Sequence, residues 1–230
     1  MNSTLIFLSI LFFVQTASAQ NNYSNVPVAF KPLPAMYLRE FFSDRVDPKP
    51  HAGIEGSPFL DDTWLLAKLI LADNKIIDTV SIKLNLFQNK VHFKDGNGQE
   101  LQATIAIKEI RIIDSNSIWR NTYLLSGFSE EKDAFFQLLS DGSKIKLLKR
   151  MTINKWEIKT VNAAPQKRFE LEEILYFLTN GILSKANKNC ASLIGILGND
   201  PNLIRFVAAN NIKCNKEQDM KTLVDYFNAL

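Results

Sequence analysis

The chain has 230 residues, 46% of them hydrophobic, with 27 Lys and Arg against 24 Asp and Glu. That length fits one large domain or two small ones, with enough apolar material for a real core. A net charge of +3 is too even to draw the whole chain to nucleic acid or to an anionic membrane, and no nucleic-acid partner is expected.

The first element is an export signal at 1–19. Residues 5–14 are an uninterrupted apolar run, the size of a signal-peptide core and about half of what a spanning helix needs. Ala17-Ser18-Ala19 follows as a small-x-small cleavage box, which makes Gln20 the first mature residue. Met1 to Thr4 holds no Lys or Arg, so an uncleaved short anchor is the alternative. No Cys follows the box to take a lipid, and no later apolar stretch is long enough to span a membrane. Residues 20–58 form a leader with Pro27, Pro32, Pro34, Pro48, Pro50 and Pro58. Proline removes a backbone donor and fixes φ, so this stretch is expected to lie along a surface, with one short helical turn over 38–42.

Residues 59–184 read as β. The runs 79–86, 90–94 and 101–107 alternate polar and apolar, the period of half-buried strands. Turn formers separate them: Asp73-Asn74, Gln88-Asn89, Asp114-Ser115-Asn116-Ser117 and Asp141-Gly142. Residues 169–178 carry glutamates that suit a helix, but the Asn180-Gly181 pair that follows favours a final hairpin. Residues 185–230 turn helical. Asn187 is placed to cap a helix over 188–197 that Gly198 stops. Asp200-Pro201 starts a second, with Leu203, Ile204, Phe206 and Val207 on one face. Asn215, with Gln218, caps a third, whose Met220, Leu223, Val224 and Phe227 form one apolar stripe. The expected fold is α+β: an antiparallel β meander of roughly eight to ten strands, as a curved sheet, sandwich or partly open barrel, followed by a small three-helix C-terminal unit.

Chemistry is sparse. His51 and His92 have no second His or Cys at ligand spacing, so both are expected on the surface, with no metal and no cofactor. No Gly-x-Ser-x-Gly elbow or Gly-rich phosphate loop is present, although a triad assembled in space stays open. The doublets Asp61-Asp62, Glu130-Glu131 and Glu172-Glu173 are poor acid–base pairs, because neighbours on a strand face opposite ways. Lys144, Lys146, Lys149 and Arg150 are the densest basic patch, either the wet side of an edge strand or a contact for an anion or polysaccharide. Cys190 and Cys214 are the only cysteines. In an exported chain they are expected to form a disulfide, with free thiols or a redox pair as alternatives.

Three stretches resemble a group of uncharacterised exported proteins of Bacteroidota: Gly56-Ser57-Pro58-Phe59-Leu60 with Trp64, the hairpin from Lys83-Leu84-Asn85-Leu86-Phe87 to Val91-His92-Phe93-Lys94-Asp95, and Leu147-Leu148-Lys149-Arg150, with a helical tail ending Tyr226-Phe227-Asn228. The resemblance implies export and a β-then-α layout, and no catalytic residue. The expectation is a non-enzymatic periplasmic or secreted protein that binds an envelope protein, a glycan or a lipid. The alternative is a hydrolase acting on envelope polymers through scattered carboxylates.

Overall fold

The computed structural model describes residues 44–46, 51–95, 97–128, 132–159 and 165–230. The signal segment 1–19, most of the leader, the turn over 38–42 and the Glu130-Glu131 doublet lie outside them. The strands are β1 (Asp44–Arg45), β2 (Ile54–Glu55), β3 (Leu65–Leu71), β4 (Ile76–Asn85), β5 (Lys90–Lys94), β6 (Glu100–Gln102), β7 (Ile107–Ile112), β8 (Tyr123–Leu125), β9 (Phe136–Ser140), β10 (Lys146–Ile158), β11 (Gln166–Thr179) and β12 (Ile182–Lys185). Three helices follow: α1 (Cys190–Ile196), α2 (Pro201–Ala209) and α3 (Glu217–Ala229).

Among the described residues the strands form one open sheet in the order β1-β6-β5-β4-β3-β7-β8-β9-β10-β11-β12, with β2 on β11. All neighbours are antiparallel except β2 and β11. The α+β meander is therefore present, as a curved sheet. It exceeds the expected strand number partly because the leader contributes β1 and β2, two residues each, where only surface chain was expected. Backbone donors in a short extended stretch find carbonyls on the nearest strand edges, and both strands use that route.

The chain winds β3 to β6 one way and then lays β7 on the other side of β3. The link 103–106 must pass three intervening strands, about 19 Å in a flat sheet. The path from Gln102 to Ile107 spans at most about 18 Å, so the sheet has to curl. Ala103 N donates to Val91 O at one end of the link, and Ala72 N donates to Ala106 O at the other. The main core fills the concave side, with Leu69, Ile82, Phe93, Ile110 and Leu124 nearly inaccessible. Thr79 sits at φ 58°, where the β3–β4 register slips. The bulge places two residues between buried Ile77 and Val80, and the alternation expected from 79 holds from Thr79 to Leu84, after which Asn85 is buried too.

The β10–β11 hairpin pairs from Lys146↔Leu178 to Ile158↔Gln166. Leu147, Leu175 and Phe177 line the face that takes the helices. On the opposite face Phe136 and Leu148 are buried with Phe128 and Tyr176 beside them. Both rings of the Phe135-Phe136 doublet are thus buried, one on each side of the sheet. Residues 169–178 are strand, and Asn180 and Gly181, at φ 51° and 79°, make the expected hairpin turn.

The helical unit follows the expected order with shifted caps. Asn189, not Asn187, accepts from Ala191 N and Ser192 N. Asp200 caps α2 ahead of Pro201 as expected. Lys216, not Asn215, is the third cap and makes no side-chain bond; Glu217 and Asp219 in the first turn compensate through the helix dipole. Met220, Leu223 and Val224 are fully buried. Ile204, expected beside Leu203 on the buried face, is 47% exposed, because α2 is covered on a narrow side only. Cys190 and Cys214 form a disulfide with Cα atoms 5.1 Å apart. Among the described residues no helix is long and apolar enough to cross a membrane.

Candidate functional site

The four basic residues singled out by sequence do not converge. β10 lies between β9 and β11, so it is not the edge strand expected. Lys144 precedes it; its Nζ donates to Phe227 O at 3.2 Å and sits 5.2 Å from the Phe227 ring. Lys146 pairs with Asp141. Lys149 faces the helices, only 13% exposed, 3.3 Å from Glu173 and 3.2 Å from Glu217. Arg150 is half-buried on the opposite face of the strand. Three of these cations thus anchor the helical unit or a turn. Charge at a sheet margin falls instead on β11: β2 covers Lys167 and Arg168, β12 covers 176–179, and Glu170, Glu172 and Glu173 stand between them. Carboxylates at an open margin discourage further strand addition.

The histidines also depart from expectation. His92 is 2% exposed, with Nδ1 2.7 Å from Glu100 Oε1 and its ring 5.2 Å from Phe59. The alternation that put it on a polar face is real, but residues 58–60 cover that face: Pro58 O accepts from Leu86 N, and Leu60 N donates to Leu84 O. His51 is half-buried against Phe87 and Phe169. Among the described residues no three His, Cys, Asp or Glu gather as metal ligands.

The Glu172-Glu173 doublet, on β11, is divided in the way strand geometry predicts, while Asp61-Asp62 lies outside the strands. Glu172 takes Asn154 while Glu173 takes Lys149. Asp61 accepts from Thr63 N and Oγ1, and Asp62 accepts from Ser57 Oγ. Two carboxyls lie below their ordinary range. Asp73 is lowered by its bond from the Lys75 ammonium. Partial desolvation raises Asp225, but the bonds from Lys221 and Ser140 outweigh it. Neither shift is the upward one that a general acid needs.

The concavity with the best claim to a ligand is a half-open pocket of about 330 Å³ where the curled sheet opens. Its floor is the top of the main core: Val91, Ala103, Ile107 and Phe135 are buried there, with Ile105 beside them. Its rim carries Lys90, Lys108 and Lys132, against the single carboxylate Asp133. Lys108 Nζ is held 3.0 Å from Asn74 Oδ1. None of the ion pairs between described residues involves these three lysines. The curl makes the pocket, since the link 103–106 crosses the mouth and small Ala72, Ala103 and Ala106 leave the space. An apolar floor with a cationic rim suits a small amphiphile with one anionic end. No sequence signal marked these residues, because the lysines lie far apart in the chain and each reads locally as an ordinary cation of a strand end or turn. No protein-family model, no curated protein and no solved structure matches this chain.

Proposed function

We propose that the protein is an exported, non-enzymatic binding protein that holds a small amphiphilic anion, such as a medium-chain fatty acid, in the pocket at the mouth of the curled sheet. The observation that carries this reading is the pairing of an apolar floor with Lys90, Lys108 and Lys132 on the rim. The apolar part of the ligand replaces water over Val91, Ile105 and Phe135, and its carboxylate meets the lysines. Export rests on the apolar run at 5–14 with its cleavage box, and the Cys190–Cys214 disulfide fits an oxidising compartment, periplasmic or extracellular.

Calorimetric titration with decanoate and, separately, with neutral decanol tests the reading. Decanoate is expected to bind at one site and decanol more weakly. A charge-assisted bond contributes about 1.5–3 kcal/mol, so a Lys90→Gln, Lys108→Gln variant is expected to lose about tenfold or more for decanoate and little for decanol. Equal affinity of variant and wild type for decanoate, or no binding by the wild type, refutes it.

A further inference from the structure

The rim of the pocket is most firmly built around Lys108. This lysine is the second residue of β7, next to Ile107, which pairs with Leu71 at the end of β3. It therefore lies alongside the turn that joins β3 to β4. Hydrogen bonds hold that turn throughout. Asn74 N donates to Leu71 O and Leu71 N to Lys75 O, both at 2.9 Å. Asp73 Oδ1 accepts from Lys75 N at 3.1 Å, and Ala72 N donates to Ala106 O at 3.0 Å, which ties the turn to the link 103–106. From this frame Asn74 reaches Lys108, with Oδ1 3.0 Å from Nζ across 34 positions of sequence. Of the three rim ammoniums, Lys108 is the one with a side-chain hydrogen bond among the described residues.

The turn by itself accounts for an asparagine at 74, because its φ is 64°, a conformation that asparagine and glycine tolerate best. The bond to Lys108 adds little to folding stability, since both side chains are exposed and water can replace either partner. Its effect on a bound anion is larger. A free lysine loses rotamer freedom when a ligand immobilises it, and a lysine already held has less to lose. An ammonium that gives one hydrogen to Asn74 keeps two for a carboxylate.

We propose that Asn74 is a positioning residue of the pocket: it holds the Lys108 ammonium ready for the anionic end of the ligand, and so anchors that end at the β3–β4 turn. This rests on the pocket reading above, which wild-type binding of decanoate tests separately. Decanoate and neutral decanol are titrated by calorimetry into the full chain and into Asn74→Gly, Lys108→Gln and the double variant. Glycine keeps the positive φ and removes only the amide, so Asn74→Gly is expected to melt with the wild type. It is expected to bind decanoate about threefold to tenfold more weakly and decanol equally well. In the Lys108→Gln background the same substitution is expected to cost nothing further, because the amide acts through that ammonium. Undiminished decanoate binding by Asn74→Gly overturns the proposal and leaves the asparagine as a turn residue alone. An equal loss in both backgrounds overturns it too, by showing that Asn74 does not act through Lys108. A wild type that binds no decanoate removes the pocket reading and this proposal together, and shows itself before any variant is compared.

Discussion

Asn228 locks the helical unit to the sheet, and a double-mutant cycle can measure that lock. Its Oδ1 accepts from Lys144 N and Ile145 N, both at 3.2 Å, and its Nδ2 donates to Ile145 O at 2.9 Å. The amide sits where a Cβ on Gly142 would be. Gly142 is not among the residues with positive φ, so alanine there has no backbone strain, and the overlap with Asn228 alone decides the cost. Asn228→Ala removes two half-buried bonds and one exposed bond at about 0.5–1.5 kcal/mol each, or about 2 kcal/mol together. Gly142→Ala expels the same amide and is expected to cost a similar amount. In the Asn228→Ala background the expelled group is already absent, so Gly142→Ala is expected to be nearly free, with a coupling of about 2 kcal/mol between sites 86 positions apart in sequence. Urea unfolding followed by circular dichroism reads all four corners of the cycle, and each single variant is expected to melt about 4–8 °C below the wild type. Additive losses would refute the reasoning, because they would mean that Asn228 does not occupy the space above Gly142.

The disulfide joins residues 24 apart, and in the loop-entropy model closing that ring contributes about 3.5 kcal/mol. Cys190→Ser, Cys214→Ser is expected to melt about 7–14 °C lower, and thiol titration of the unreduced, unfolded wild type is expected to find no free thiol. Asp225 gives a pH dependence. Its folded pKa lies below the ordinary 3.8, so the folded state holds its proton less tightly than the unfolded state. The stabilisation is therefore complete well above 3.8 and fades as pH falls through the folded value. The stability gap between wild type and Asp225→Asn is expected to be constant from pH 7 to 5 and to close under stronger acid. A gap that survives at pH 2 would show that the ion pair with Lys221 contributes nothing.

The elements legible in the sequence were those set by local rules. Alternation marked β4 and β5, Asn180-Gly181 marked the last turn, Asp200-Pro201 marked the start of α2, and Cys190 with Cys214 marked the bridge. His92 was misplaced because the residues that cover its face, 58–60, come from a different part of the chain. The basic patch misled in the same way. Lys149 and Arg150 are adjacent in sequence, but the strand turns them to opposite faces, and Glu217 and Phe227, which engage Lys149 and Lys144, lie in α3. The pocket had no local signature at all. It depends on the curl that the short link 103–106 imposes, and the link's brevity has that meaning only once β7 is known to pair with β3.

The parallel pairing of β2 with β11 has a temporal side. Ile54 lies beside Lys167 and Glu55 beside Arg168, so the strand made early waits for more than a hundred later residues. At ordinary synthesis rates of about 5–20 residues per second, that wait is several seconds or longer. During it, the β11 edge that β2 joins does not yet exist, although residues 58–60, which cover His92, can already pair with Leu84 and Leu86. The chain from Ile107 to Lys185 closes by neighbour-to-neighbour hairpins as it emerges, and β2 can settle only after they have formed.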